Sequence, residues 1–302
     1  MKILVLMSTY NGERYIKEQI DSIISQEKVK VELLIRDDGS NDSTLEILEE
    51  YANNFDNIRY WSGGNVGFVN SFSELMKKAL DCYSTADYYA FVDQDDVWHS
   101  SKLWNACVKL AKYDNSKPCL YQSNSIVINS DGIEQGEFIS VDINKFKRGS
   151  SMIFGTVQGC GMVFNKAAVY TYNRIPPQKS WHDRWLYLIC FYLGTSIYDP
   201  TPQFYYRIHN NNTLACNVPW YENLKKQVKG FLKHPLHQVM AEEFYLKFYS
   251  ELSDEDKKIF SVYLSYRYNL LSKAKLIFSS NFKYPYPKGY PLYLLKIILG
   301  RV

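Results

Sequence analysis

Three aspartates in four positions, Asp93, Asp95 and Asp96, follow the apolar run Tyr88–Val92. An unbroken apolar run of that length reads as a central strand, so the aspartates stand at its carboxyl end. Like charges held about 4–6 Å apart raise one another's pKa unless a cation compensates. A hard divalent ion does so through carboxylate oxygens, and Mg²⁺ takes one or two protein carboxylates together with phosphate oxygens. Asp93 and Asp95 therefore suit Mg²⁺ or Mn²⁺ bridging the protein to a diphosphate; a solvated acidic turn is the plainer alternative. Asp38, in Asp37-Asp38-Gly39-Ser40, suits a nucleobase N–H or ribose hydroxyls. The same four residues also read as an Asx-type turn, which leaves one Asp for each task. In Thr9-Tyr10-Asn11, Tyr10 suits stacking on a base, and Asn11 suits capping the helix that follows.

These groups share a rim only if the elements before them are parallel strands. Lys2–Met7 reads as a buried strand, and Glu13–Gln26 as a helix with its stripe on Tyr15, Ile16, Ile20, Ile23 and Ile24. Val31–Arg36 is a second strand. Ser43-Thr44-Leu45-Glu46 has the pattern of a capping box opening a second helix. Ile58–Trp61, Phe68–Leu80 and Tyr88–Val92 complete the alternation, which predicts right-handed βαβ units and a parallel sheet. Ligands of such sheets bind beyond the strands' carboxyl ends. There the chain places Ser8–Gly12, Asp37–Ser40, Gly63–Gly67 and Asp93–Asp96. Beyond residue 100 the pattern turns α+β: helix at Leu103–Lys112, strands at Leu120–Asn129 and Gly159–Asn165, helix at Trp185–Tyr192, and a short strand at Phe204–Arg207. Residues 215–302 carry helical patterns at Trp220–Leu232, Gln238–Leu252 and Asp254–Ile277, then the apolar stretch Tyr290–Leu299.

The chain's 302 residues fit about two domains. Its hydrophobic content of 46% excludes a disordered chain, and a net charge of +3 gives no field for gripping nucleic acid. That total hides an asymmetry. Residues 215–302 hold 14 Lys+Arg against 7 Asp+Glu, and residues 1–214 hold 21 against 25. Aromatics reach 16%, with 26 Tyr, which suits a sugar cleft or a membrane interface as well as a core. None of the six cysteines forms a CxxC pair, so a zinc site is not expected and the thiols read as reduced and mostly buried. Ile3–Met7 is too short for a signal peptide, and no stretch approaches the roughly 18 apolar residues of a span. The expected compartment is the cytosol or its membrane face.

Taken in order, Ser8–Gly12, Arg36–Asp42, Asn65-Val66-Gly67, Asp93-Gln94-Asp95-Asp96-Val97-Trp98, Gly159-Cys160-Gly161, His182-Asp183-Arg184-Trp185 and Tyr206-Arg207-Ile208-His209 resemble glycosyltransferase family 2, whose fold is GT-A. The Asp-Gln-Asp-Asp-Val-Trp and His-Asp-x-Trp pieces look most like its bacterial rhamnosyltransferase-like branch, which builds surface polysaccharides. The resemblance covers about residues 1–214. It implies an α/β Rossmann-like, mostly parallel sheet and a nucleotide-sugar transferase domain at 1–214; the helical patterns, not the resemblance, make 215–302 a mainly helical extension. It implies that Thr9, Tyr10, Asn11, Asp38 and Asp93 hold the nucleotide, and that Asp93, Asp95 and His209 hold the metal. Asp183 would be the base that deprotonates the acceptor hydroxyl, and Asp96, Arg207, Gly159, Trp181 and His182 would touch diphosphate or acceptor. Asp183 also opens an apolar helix, whose N-terminus favours the ionised form and which an Asp there could simply cap.

The implied reaction is inverting transfer of one sugar from dTDP-rhamnose or a UDP-sugar to a hydroxyl of a surface polysaccharide or lipid-linked oligosaccharide. Processive members of the family carry Gln-x-x-Arg-Trp and membrane spans; here Trp181 stands three before Arg184, so single-sugar addition is expected. A sugar-1-phosphate nucleotidyltransferase would need an early glycine-rich loop with a basic residue, and Ser8–Gly12 has one Gly. A non-catalytic saccharide-binding relative would not need Asp93, Asp95 and Asp183. No nucleic-acid partner is expected, because the basic region carries no such motif. The basic, aromatic C-terminal region suits an anionic membrane surface, packing on the catalytic domain, or a second copy in a homodimer.

Overall fold

The computed structural model describes residues 1–82, 85–138, 145–154, 158–209, 236–284 and 290–302. The expected helix Trp220–Leu232 lies outside them. The chain divides into two compact units. The first holds Met1–Ser140, Val157–Pro177 and Trp181–Ile208; the second holds Val141–Thr156, Gln178–Ser180 and His209–Val302.

The first unit is built on one mixed sheet. Strand β1 (Lys2–Thr9) lies between β2 (Lys30–Asp37) and β4 (Tyr88–Val92), and β3 (Ile58–Ser62) flanks β2. All four run parallel, with Val5 opposite Leu33 and Ala90. Ile3 to Met7 and Tyr89 to Val92 are fully buried, as strands covered on both faces must be. Helix α1 (Ile16–Ile24) lays Ile16, Ile20 and Ile23 into the core. Helices α2 (Thr44–Asn54) and α3 (Phe68–Cys82) complete the βαβ units. These parallel strands and their crossover helices are the predicted ones, longer or shorter by a few residues.

Beyond β4 the direction changes. The later strands are β5 (Val97–Trp98), β6 (Cys119–Ile128), β7 (Glu134–Phe138), β8 (Met162–Asn165) and β9 (Thr195–Arg207). Strand β8 pairs antiparallel with β4 and with β6, and β6 pairs parallel with β9. The short β5 pairs antiparallel with β9, Val97 against Tyr205. The sequence predicted only Phe204–Arg207 of β9. Its first half, with Pro200 and Pro202, has no alternating pattern and is held by β6 across register shifts at Ser123 and Asn124. Gly159–Gly161, expected to open β8, forms a 3-10 turn instead. Helices α4 (Lys102–Leu110), α6 (Lys166–Arg174) and α7 (His182–Leu193) belong to this unit.

Two capping expectations are corrected. Ser43 precedes α2, but its backbone at φ −73°, ψ 11° is nearly helical and its side chain makes no cap bond. Its N–H donates to Glu13 Oε2 at 2.9 Å instead. Asn11 does not cap α1, which starts five residues later after Tyr15 with no side-chain cap. Asn11 adopts φ +49° and staples two loops: its N–H donates to Ser40 Oγ and its Oδ1 accepts from Asn41 N–H, each at 2.9 Å.

The second unit holds α5 (Arg148–Phe154), α8 (Leu236–Phe248), α9 (Asp254–Ser265), α10 (Leu270–Phe278) and α11 (Tyr290–Ile298). Asp256, buried at the first turn of α9, pairs with the Arg148 guanidinium. Glu243 accepts from Gln178 N–H at 2.6 Å and Lys179 N–H at 3.0 Å, and pairs with Lys247. The single helix expected at Asp254–Ile277 is broken at Tyr266–Asn269. Asn269 caps α10 by accepting from Leu271 and Ser272 N–H, a stop-and-restart that apolar periodicity does not register.

Candidate active site

The rim is stapled before any ligand arrives. Thr9, the last residue of β1, is buried and its hydroxyl donates to Asp37 Oδ2 at 3.0 Å. Asp37 Oδ1 accepts from Gly39 and Ser40 N–H at 3.1 and 2.9 Å, so Asp37 makes the Asx turn. Asp38, the residue expected to meet the nucleotide, has partners within the protein. Its carboxylate accepts from the N–H groups of Val66 and Gly67 at 2.8 and 2.9 Å and pairs with the buried Arg36 guanidinium. Asp38 thus fixes the Asn65–Gly67 loop against β2. Tyr10, by contrast, is 46% exposed, and Asn11 is exposed beside it. Gln94 holds the Tyr10 backbone from the far side: Oε1 accepts its N–H at 2.8 Å and Nε2 donates to its carbonyl at 3.0 Å. A Cβ on Gly12 would stand 2.4 Å from Gln94 Oε1, so the clamp requires glycine there.

Beyond β4, Asp93 and Asp95 are half-buried and Asp96 is fully buried. Carboxylate oxygens of Asp93 and Asp96 and the Cys160 sulfur lie within 4.8 Å of one another. One Asp96 oxygen accepts the Arg207 N–H at 3.1 Å; the other is buried, with no N–H or O–H donor among the described residues, beside the Cys160 thiol. Desolvation, then the charges of Asp95 and Asp183, push Asp93 up to about 7. Burial, Asp95 and Asp93 push Asp96 well above the ordinary carboxylate range. Buried carboxyls that repel one another, one with an oxygen lacking a donor, form a donor set that suits a divalent cation. The sequence paired Asp93 with Asp95; the close group in the structure is instead Asp93, Asp96 and Cys160, without Asp95.

The 3-10 turn at Gly159–Gly161 carries Cys160 to the cluster and faces α7. A Cβ on Gly159 would meet His182 Nε2 at 3.3 Å and Asp183 Cβ at 3.4 Å, which makes Gly159 a close-approach position. Asp183 stands in the first turn of α7 rather than at its cap, which is Trp181. Burial lifts it to about 6, against the stabilising Arg184 N–H and charge. His182 is sealed among rings, stacked on Phe72 with centroids 4.0 Å apart and edge-on to Phe91 at 5.0 Å. Burial pushes it down to about 3, so it is a neutral imidazole. Trp181 is 38% exposed at the entrance to the helix.

The Arg207 guanidinium, expected near a diphosphate, is engaged by groups of the protein. Nε donates to the Asp95 carbonyl at 2.9 Å, the terminal group pairs with Glu18, and the plane covers the Tyr15 ring at 4.7 Å. Arg207 thereby clamps the Asp95-Asp96 turn to α1 and β9. His209 is half-buried in the second unit.

Sequence reasoning missed Lys102. Its side chain is fully buried, Nζ donates to the Cys160 carbonyl at 2.9 Å, and the ammonium lies 3.6 Å from the Trp98 ring centroid. Burial pushes it down to about 7, against the pull of Cys160 and Asp96. A lysine at the first position of an amphipathic helix reads as solvent-facing, so only the fold exposes this role. Gln94 and Glu18 were missed for the same reason: their partners are 84 and 189 residues away.

The raised Asp93 pKa makes a stability prediction. A carboxyl whose folded pKa exceeds its unfolded value binds more protons when folded, so stability falls as pH rises between about 4 and 7. In metal-free protein, Asp93→Asn removes that loss. The variant's melting temperature should exceed wild type by roughly 5 °C or more at pH 8 and by less at pH 5, measured by thermal denaturation in chelator. An equal difference at both pH values would show that Asp93 is not held protonated by its neighbours.

The fold has solved counterparts. Staphylococcus aureus TarS 1-349 in complex with UDP-GlcNAc superposes with a TM-score of 0.56 at 17% identity, covering 100% of this chain and 93% of that one. Mannosyltransferase PcManGT from Pyrobaculum calidifontis, in complex with GDP-Man and Mn²⁺, gives 0.59 at 14% identity, covering 99% and 86%. The architecture is therefore the α/β GT-A glycosyltransferase fold. The profile of Glycosyl transferase family 2 matches residues 4–167, more than half of the chain. A dTDP-rhamnosyl transferase of Shigella flexneri, RfbG, is 31% identical over 238 residues, 73% of this chain and 77% of that one. The chain belongs to glycosyl transferase family 2, and its sequence likeness runs to the rhamnosyltransferase-like branch.

Proposed function

We propose that the chain is a divalent-cation-dependent inverting glycosyltransferase. It moves one sugar from a nucleotide-diphosphate donor to a hydroxyl of a bacterial surface polysaccharide or lipid-linked oligosaccharide. The observation that carries this reading is Asp183, a half-buried carboxyl at a helix start within electrostatic reach of Asp93. The likeness to RfbG favours dTDP-rhamnose as donor, with a UDP-sugar as the second choice.

Asp183 accepts the acceptor hydroxyl's proton as its oxygen attacks the anomeric carbon. The bond from that carbon to the diphosphate oxygen breaks, the nucleoside diphosphate leaves with the electron pair, and the anomeric configuration inverts. Exposed Tyr10 offers a face for the base, while Asn11, Thr9 and Asp38 keep the loop around it in place. Asp93 and Asp95, with Asp96 as a further carboxylate, would hold Mg²⁺ or Mn²⁺. Such an ion supplies charge stabilisation for the leaving diphosphate.

The test is a panel of nucleotide sugars, dTDP-rhamnose and UDP-sugars first, scored for cation-dependent binding and for the anomeric configuration of the product. Retention of configuration, or no binding with any cation, would refute the reading. A base must be ionised to act, so with a carboxyl lifted to about 6 the rate should climb as pH rises through about 6. A kcat/KM profile flat from pH 5 to 8 would remove Asp183 from that role.

A further inference from the structure

The second unit ends in two neighbouring helices, each packed on one face and bare on another. Helix α10 buries Ser272 and Leu276, and α11 buries Tyr293 and Ile297. The Lys273 ammonium donates to the Ile298 carbonyl at 3.1 Å and ties the two helices together. On the outer side of α10, Leu270, Leu271 and Phe278 are 82%, 75% and 84% exposed, and Tyr268 just before it is 90% exposed. Their spacing, i, i+1 and i+8, is one face of a helix. Leu292, Leu295, Ile298 and Leu299 of the α11 region are 45–58% exposed. Single exposed apolar residues are ordinary, but stripes of them on adjacent helices mark an interaction surface.

Charge selects the occupant. From Lys257 to Val302 the chain has nine Lys and Arg and no Asp or Glu. A symmetric dimer through this face would bring the same cations against themselves, with no carboxylate in the segment to answer them. An anionic lipid surface answers both features at once: headgroups take the cations, and the acyl boundary takes the leucines and phenylalanine. Among the described residues no helix is long and apolar enough to cross a membrane. Nine residues of α10 extend only roughly 13 Å, so the helix suits lying in the interface rather than spanning it.

We propose that α10 and α11 form an interfacial anchor that docks this chain on an anionic bilayer, with Leu270, Leu271 and Phe278 inserting below the headgroups. Exposed Lys275 and Lys283 lie beside them in sequence and suit the headgroup layer, where their alkyl stems can still cover apolar surface. The most exposed apolar side chains of the pair stand on α10 rather than on α11.

The experiment uses the full chain and vesicles of phosphatidylcholine alone or with about one part in three phosphatidylglycerol. Wild type should co-sediment with the anionic vesicles and far less with the neutral ones. The triple variant Leu270→Ser, Leu271→Ser, Phe278→Ser should need on the order of tenfold more lipid or greater. These side chains are exposed, so its circular dichroism and melting should match wild type. Equal vesicle binding by the variant, or none by wild type, would overturn the anchor. Conversion of a solution dimer to monomer by the triple variant, without loss of vesicle binding, would assign the face to a second copy instead. No sugar donor enters the assay, so its failure leaves the proposed transfer reaction standing.

Discussion

Asp183→Asn is expected to lower the rate of sugar transfer by roughly 10²–10⁴, the usual contribution of a general base, while cation-dependent nucleotide binding stays as in wild type. Asparagine keeps the size and the hydrogen-bonding reach of the side chain but cannot take a proton. The surrounding packing should hold, because the Asp183 carboxylate accepts from the adjacent Arg184 N–H at 2.6 Å, an acceptor role the amide oxygen can fill. Asp95→Ala provides the contrast. It should weaken cation-dependent nucleotide binding and remove transfer together, since its proposed task is to hold the ion. Titration calorimetry with nucleotide in the presence and absence of Mn²⁺ separates the two variants. If Asp183→Asn transfers sugar at the wild-type rate, the base lies elsewhere.

The largest expected effect on stability is at Arg36. Solvent reaches only 2% of its side chain, and it joins Asp38, Glu74, Ser71 and the Gly64 carbonyl. Arg36→Met keeps much of the volume but leaves the Asp38 carboxylate, itself 4% exposed, without its cation. Breaking a buried pair in this way typically costs about 3–5 kcal/mol. A melting temperature lower by roughly 10 °C is the expected reading. Adding Asp38→Asn should recover part of the loss, because the amide oxygen still accepts from the loop N–H groups and no charge is stranded. A double-mutant cycle by denaturant unfolding measures that recovery. Strict additivity of the two single losses would mean that the pair does not act as a unit.

Much of this protein was legible in order along the chain. Apolar runs and helical stripes placed the four parallel strands and their helices, because those signals repeat within a window of about 11–18 residues. The rim followed from them, since parallel strands deliver what succeeds each of them to the same edge. Asp93, Asp95, Asp38 and Tyr10 were therefore singled out as candidates, and Asp183 through the order of motifs that marks the family. The amide and hydroxyl side chains were less legible. Asn11 and Ser43 have the residue types of helix caps, yet backbone angles outside the capping range turned both toward loops some 30 residues away.

By itself, then, the sequence determined the βαβ half of the sheet, the acidic rim and the basic character of the C-terminal region. Only the tertiary structure decided which groups share the buried cluster behind that rim. Asp96 meets Arg207 across 111 residues, and Lys102 meets the Cys160 carbonyl across 58. It also decided which faces stay bare: the break at Tyr266–Asn269 turns Leu270, Leu271 and Phe278 outward from what reads as one continuous helix. The physical reason is one of range. Periodicity and turn chemistry are set by neighbours in the chain, whereas burial of a charge and exposure of a leucine depend on contacts the chain makes only after it has closed on itself.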